Sequence, residues 1–339
     1  MVLLEIDLRR FRNNPDRADQ LESIITTAKE LALRSNREAV SFLMQAVGLR
    51  TLLTRNESYY ELALNYSLAL VQAYSNKPEA AAEHLELSGI LPFDGGDLIF
   101  SDAHDRGLDL AAKQEASLEK HVPCVFLASM PRATSAALTS TISEQFGCPV
   151  MRASMGGFPN YYLMPSWVRR ISRGGCVLHD HFGAQEFNRR TLSECSISTV
   201  FVLIRDPRAS AASFVQLVQG HDVTEEEIHR AFEESYIPWL SEWEDYAVGS
   251  HTAEVVWLKS SDVTAGNAQL RLVIEKIIAP LVKLTPRWQP PDLSNLGLSD
   301  ANFVSGTSDG WRRLVSKSGQ ERMWSRIPAR FREMLELER

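Results

Sequence analysis

Phe201-Val-Leu-Ile-Arg-Asp-Pro-Arg-Ala-Ser-Ala-Ala-Ser213 sets an apolar run against an abrupt polar turn. Phe201 to Ile204 reads as a buried strand. Arg205-Asp206-Pro207-Arg208 follows at once, a turn in which Pro207 suits the first helical position. A helix of small residues then begins and carries Ser213, eight residues beyond Arg205. A guanidinium fixed at a strand end, facing a hydroxyl near a helix start, is good geometry for a dianionic phosphate.

A second stretch upstream repeats the pattern. In Val125-Phe-Leu-Ala-Ser-Met-Pro-Arg-Ala-Thr-Ser-Ala-Ala-Leu138, a short strand from Val125 to Ala128 runs into the turn Ser129-Met130-Pro131-Arg132. Small and hydroxylated residues follow from Ala133 to Ala137, and then a helix from Leu138 to Phe146. A loop between strand and helix aims backbone N–H groups and the positive dipole end at an anion. Arg132 adds a charge, and Thr134 and Ser135 add hydroxyl donors. Gly-x4-Gly-Lys-Ser/Thr occurs nowhere in the chain, so this is not a Walker A loop. Either stretch alone also fits an ordinary strand–turn–helix with a surface arginine. Two in succession fit that reading poorly.

Between them lies Gly174-Gly-Cys-Val-Leu-His-Asp-His-Phe-Gly183, a third strand running out at a glycine. Strand alternation puts His179 and His181 on one face and Asp180 on the other. A neutral imidazole, with an ordinary pKa of about 6.5, is suited to taking a proton from an attacking hydroxyl or amine. Asp180 and Glu186 are the carboxylates placed to act in its stead. A His-x-His pair also suits a metal, but no further His or Cys stands at ligand-like spacing, so no metal is expected.

These stretches resemble the sulfotransferases that use 3′-phosphoadenosine-5′-phosphosulfate (PAPS), over about Val122 to Lys317. The Arg205 and Ser213 spacing is similar to that family's 3′-phosphate motif. The loop from Pro131 is similar to its 5′-phosphosulfate loop, Pro-Lys/Arg-Ser-Gly-Thr/Ser-Thr. The resemblance implies that Arg132, Ala133, Thr134, Ser135 and Ala136 hold the phosphosulfate, and that Arg205 and Ser213 hold the 3′-phosphate. It places His181 where the family has its general base. His179 stands where the family has a lysine, a role it fills only if protonated; Arg132 carries it otherwise. Thr134 replaces a family glycine, which limits positive φ and predicts a looser loop. A late family motif, Arg-Lys-Gly…Gly-Asp-Trp, is matched by Val304-Ser-Gly-Thr-Ser-Asp-Gly-Trp-Arg-Arg313. There Gly306, Gly310 and Trp311 are similar, Val304 and Ser305 replace the basic pair, and Arg312 and Arg313 offer charge. The implied reaction moves a sulfuryl group from PAPS, as cosubstrate, to a hydroxyl or amine of a small molecule, without a metal.

Strand candidates at 125–128, 175–178, 200–204 and 254–258 alternate with helices at about 135–146, 160–173, 185–193, 209–219 and 224–246. That alternation predicts an α/β fold, a parallel sheet with helices on both faces, in which ligands bind at the carboxyl ends of the strands. The resemblance makes it a P-loop-like sulfotransferase fold. Upstream, apolar spacing of three and four predicts helices at 18–33, 37–53 and 58–74, another from Pro78 to Leu87, and one at 103–120. The expected organisation is a helical N-terminal region, 1–120, as an all-α cap, and a sulfotransferase domain, 121–339. The stretch 286–310 reads as loop and 328–337 as a closing helix. Tyr161, Tyr162, Met164 and Trp167, and the pair Trp239 and Trp243, are either core or the wall of an acceptor cavity.

The chain of 339 residues carries a net charge of −7, which argues against a broad nucleic-acid surface. Yet His121 to Val215 holds nine Lys or Arg against five Asp or Glu, a local +4 that suits a small anionic ligand. No apolar run reaches membrane-spanning length, the amino terminus lacks a basic start, and the four cysteines are scattered. The expectation is a cytoplasmic protein with reduced thiols, acting on a small molecule and not on nucleic acid or membrane. The N-terminal helices offer a surface for a homodimer or another protein. A kinase on a related sheet, and a catalytically weak nucleotide-binding module that recruits a partner, are the rival readings.

Overall fold

Apolar periodicity and a proline at a helix start shape the first described elements. The computed structural model describes residues 57–94, 100–219, 223–249, 251–294, 296–297 and 310–337. The expected helices at 18–33 and 37–53 lie outside them. Helix α1 (Glu57–Tyr74) is followed by α2 (Pro78–Ser88), which starts on Pro78 and closes at Gly89 with φ 66°. After α3 (Phe100–Leu118) the α/β part begins.

Strand β1 (Cys124–Ser129) leads through the Pro131–Thr134 loop into α4 (Ser135–Phe146). A two-residue strand β2 (Val150–Met151) precedes a hairpin of β3 (Ser154–Gly157) and β4 (Asn160–Leu163), and then α5 (Pro165–Ile171). The hairpin corrects the helix expected over 160–173. Met164, held before Pro165, is extended at φ −81° and ψ 117°, as a residue preceding proline must be. The aromatic pair Tyr161 and Tyr162 suits a pleated strand, so the helix starts only at Pro165.

Strand β5 (Cys176–Asp180), α6 (Glu186–Glu194), β6 (Thr199–Ile204) and α7 (Pro207–Gln219) follow. The single helix expected over 224–246 is α8 (Glu225–Ala231), a π turn (Phe232–Tyr236) and α9 (Ile237–Val248). Thr224 and Glu227 form a reciprocal capping box at its start. Strand β7 (Glu254–Lys259), α10 (Ser260–Thr264) and α11 (Asn267–Leu284) complete the sheet region. A 3-10 turn (Gly310–Arg313), α12 (Lys317–Arg326) and α13 (Ala329–Met334) end it. Helices α11 and α12 were not among the expected elements.

The five-stranded sheet has the order β2-β5-β1-β6-β7, and every pairing is parallel. All six β6 residues are buried, which requires cover on both faces, as parallel sheets have. The fold class is therefore the expected one. Trp239 and Trp243 are core, 1% and 0% exposed, and not an acceptor wall. Tyr66, Leu70 and Phe93 belong to the same buried cluster as the sheet. Among the described residues no helix is long and apolar enough to cross a membrane.

The entry to β5 is tight. Gly174 and Gly175 have φ 107° and 72°, and a Cβ on Gly175 would sit 2.6 Å from the Gln114 carbonyl oxygen. The Gly175 N–H donates to the Val122 carbonyl at 2.7 Å. Gly175→Ala should therefore lose more than about 1 kcal/mol of stability in urea unfolding, with anion binding by the folded protein unchanged. An unaltered unfolding midpoint would contradict this packing.

Candidate functional site

Strands β5, β1 and β6 are neighbours, so their carboxyl ends bring His179 and His181, Ser129, and Arg205 into one row. Above them opens a cavity of about 380 Å³, within the ~300–1,000 Å³ range of small-molecule sites. Arg132, Arg152 and Arg205 line it, and among the described residues no Asp or Glu does. The opposite wall is apolar, with Phe158 and Tyr161 from the hairpin and Phe214 from α7.

The loop after β1 is not loosened by its threonine. Arg132 and Thr134 both take left-handed conformations, φ 66° and 64°. For a β-branched residue this is unusual, and each such residue costs about 1–3 kcal/mol. Thr134 Oγ1 lies 2.9 Å from Ser260 Oγ, a hydrogen bond that pins the threonine. Between them Ala133 is fully buried and its N–H donates to the Met130 carbonyl at 3.2 Å. No side chain caps α4. The N–H groups of its first turn lack intrahelical partners, and Ser135, Ala136 and Ala137 line the cavity.

The arginines are cross-tied. Arg132 Nε donates to Ser213 Oγ at 3.0 Å, and Arg205 Nη1 donates to the Arg132 carbonyl at 2.9 Å. The three residues singled out in two separate stretches thus form one network. Burial, with the Arg132 charge adding to it against Asp206, holds Arg205 below the usual arginine range. The Asp206 carboxylate accepts from Arg208 Nε at 3.0 Å and Nη2 at 2.9 Å. Arg208 is 1% exposed and lies 4.7 Å from the Trp311 ring and 5.3 Å from the Trp324 ring. Arg312 stacks on Trp311 at 5.4 Å and does not line the cavity. Gly306, Val304 and Ser305 lie outside the described residues.

The histidines share the cavity face, as alternation requires. His181 Nδ1 is 2.8 Å from the Ser129 carbonyl oxygen. A carbonyl only accepts, so Nδ1 carries the proton and Nε2 keeps its lone pair. Ser129 Oγ lies 3.0 Å from His181 Nδ1 and 3.2 Å from His179 Nε2, joining the two rings. Burial pushes His179 well below its ordinary pKa, and the His181 and Arg152 charges act the same way. That direction disfavours the protonated form that a lysine-like role would require. Burial lowers His181 too, opposed by its bond to the Ser129 carbonyl and by Asp180.

Asp180 faces away from the cavity, 1% exposed, accepting from the Ser154 N–H at 3.1 Å and the His181 N–H at 3.0 Å. Glu186, in the first turn of α6, does not line the cavity. Neither carboxylate lines the cavity that His179 and His181 face. Sequence reasoning passed over Arg152, Phe158 and Tyr236. Tyr236, on the π turn, donates to the Ser210 carbonyl at 3.2 Å and reaches the Pro131 carbonyl at 3.5 Å. A π turn is often a functional feature, but nothing in local composition announces one. Trp239 Nε1 donates to the His181 carbonyl at 3.1 Å and holds the strand exit from behind.

No protein-family model matches the chain, and no curated protein matches it. Among solved structures, the chain is similar to the mouse sulfotransferase SULT7A1 complexed with PAP, at 13% identity and a TM-score of 0.42. That alignment covers 67% of this chain and 90% of the mouse chain.

Half-buried histidines whose pKa the fold lowers make stability fall on acidification. Below about pH 6.5 the unfolded chain takes protons that the folded site refuses. Glu242, raised by burial to about 7, acts in the opposite sense, because its folded form holds a proton that the unfolded form has lost. The comparison is therefore between proteins that share Glu242. Wild-type protein should lose more thermal stability than His179→Gln between about pH 7 and 5.5. Parallel midpoints across that window would show that His179 is not held neutral by the fold.

Proposed function

We propose that this chain is a PAPS-dependent sulfotransferase acting on a hydroxyl or amine of a small molecule. The transferase domain spans 121–339, and the described helices before it, α1 to α3, serve as its cap. One observation carries the reading: a carboxylate-free cavity holds cross-tied arginines and an uncapped helix start beside a histidine with a free Nε2. Guanidinium groups and first-turn amides are donors suited to phosphate and sulfate oxygens.

PAPS supplies an activated sulfuryl group whose sulfur–oxygen bond to the 5′-phosphate breaks as the acceptor oxygen or nitrogen bonds to sulfur. His181 Nε2 takes the acceptor's proton. Arg132 and the α4 amides neutralise the charge that grows on the departing 5′-phosphate oxygen, pre-oriented in a water-poor site. Arg205 and Ser213 hold the 3′-phosphate at the far side. Most of the acceleration then comes from positioning and electrostatics, as in phosphoryl transfer.

His181→Ala should lower turnover about 10²–10⁴-fold, with affinity for 3′-phosphoadenosine-5′-phosphate (PAP) intact. In wild type, kcat/KM should rise with pH through a group below the ordinary histidine value, and the variant should lose that limb. An unchanged pH profile in His181→Ala would remove the histidine from the reaction.

A further inference from the structure

A second, smaller cleft of about 50 Å³ adjoins the anion cavity and shares two residues with it, Arg152 and Tyr161. It lies where α1 meets the β3–β4 hairpin. Tyr66 and Tyr74 of α1 form one wall, and Phe93 and Trp167 another. Trp167 Nε1 donates to the Ile90 carbonyl at 2.8 Å, and Phe93 meets its ring edge-on at 5.5 Å, so this wall is fixed. The cleft holds roughly three or four waters' worth of space, at the ~10–15 Å³ each requires, which suits one ring and not a polycycle.

Two polar groups in this cleft stand out. The Arg152 backbone N–H is used, donating to the Phe93 carbonyl at 2.8 Å. Among the described residues, however, no carboxylate lies within ion-pair distance of its guanidinium. The Ser154 hydroxyl also lines the cleft, is buried, and has no hydrogen-bond partner among the described residues. A buried hydroxyl left unmatched costs free energy, and a half-buried guanidinium away from any anion does so too. Both costs are offset by a ligand that brings its own anion. Tyr161, the shared wall, has its ring 6.1 Å from that of His181, so a ring in the cleft reaches toward the base.

We propose that the acceptor is a single-ring aromatic compound bearing an anionic group, and that Arg152 is the residue that selects it. Arg152 pairs with the acceptor's anion, Ser154 Oγ donates to it, and Tyr161 guides the ring toward His181. This rests on the sulfotransferase reading for the acceptor's role, but the preference for an anion is a property of the cleft alone.

The test uses calorimetry on the full chain, with and without PAP. The probes are matched pairs: 4-hydroxybenzoate against 4-hydroxybenzamide, and 4-hydroxyphenylacetate against its amide. Wild-type protein should prefer the carboxylate of at least one pair by about tenfold, the size of one charged hydrogen bond. Arg152→Gln should abolish the preference, Arg152→Lys should keep part of it, and any loss of PAP affinity in Arg152→Gln should be several-fold smaller than its loss of carboxylate preference. Absence of any carboxylate preference in wild type, or its survival in Arg152→Gln, overturns the proposal. A loss of PAP affinity in Arg152→Gln equal to the loss of carboxylate preference also overturns it, because Arg152 is then a nucleotide ligand. If PAP fails to bind wild type while the Arg152-dependent preference stands, the sulfotransferase reading falls and the anionic-ligand cleft survives.

Discussion

Arg132 and Arg205 occupy one cavity that no carboxylate lines among the described residues, and the backbone is built to keep them there. Two like charges in a partly desolvated space repel each other and lose hydration, so such a pair persists only where the scaffold is rigid. Here the Arg205 guanidinium is spent partly on the Arg132 carbonyl, and Arg132 on Ser213. Neither bond neutralises a charge. The remaining positive potential is what an incoming dianion would meet, amplified by the low dielectric of the site.

Much of the surrounding structure serves that constraint. The left-handed turns at Arg132 and Thr134 store strain in the loop, and the neighbouring contacts hold it in place. Tyr236 joins the loop to the start of α7 through the Pro131 and Ser210 carbonyls. Arg208, enclosed by Trp311 and Trp324, takes up the Asp206 carboxylate that would otherwise be free to pair with Arg205. Ser129 and the buried Trp239 fix the histidine strand from both sides. The desolvation that lowers the His181 pKa favours its neutral form, the one able to accept a proton.

Four of the sheet's five strands were legible because each is a short apolar run that ends at a polar turn, whereas the two-residue edge strand Val150–Met151 is too short to leave a pattern. Cys176–Asp180 and Thr199–Ile204 could be placed to within a residue or two on that signal alone. The proximity of Arg132 and Arg205 was legible because strand ends project loop residues to one edge, and Ser213 joins them from the second turn of α7. The hairpin at 154–163 was not: its strands are only four residues each, and the strand preference of Tyr161 and Tyr162 and the constraint before Pro165 were outweighed by the helical pattern that follows. Arg152 was invisible for a different reason. What sets it apart is that, among the described residues, no carboxylate lies near it in three dimensions, and no local pattern encodes an absence. Thr134 shows the converse: residue preference predicted a relaxed loop, and tertiary contact with Ser260 overrode it.

The central claim is that Arg205 and Ser213 face the 3′-phosphate of a nucleotide. Calorimetric titration of the full chain with PAP and with adenosine 5′-phosphate, in metal-free buffer, tests it most directly. The account predicts at least tenfold tighter binding of PAP in wild type, the increment expected of one charged hydrogen bond, and near-equal binding of the two nucleotides by Arg205→Ala. Equal affinities in wild type, or a preference for PAP that survives the loss of Arg205, would contradict it.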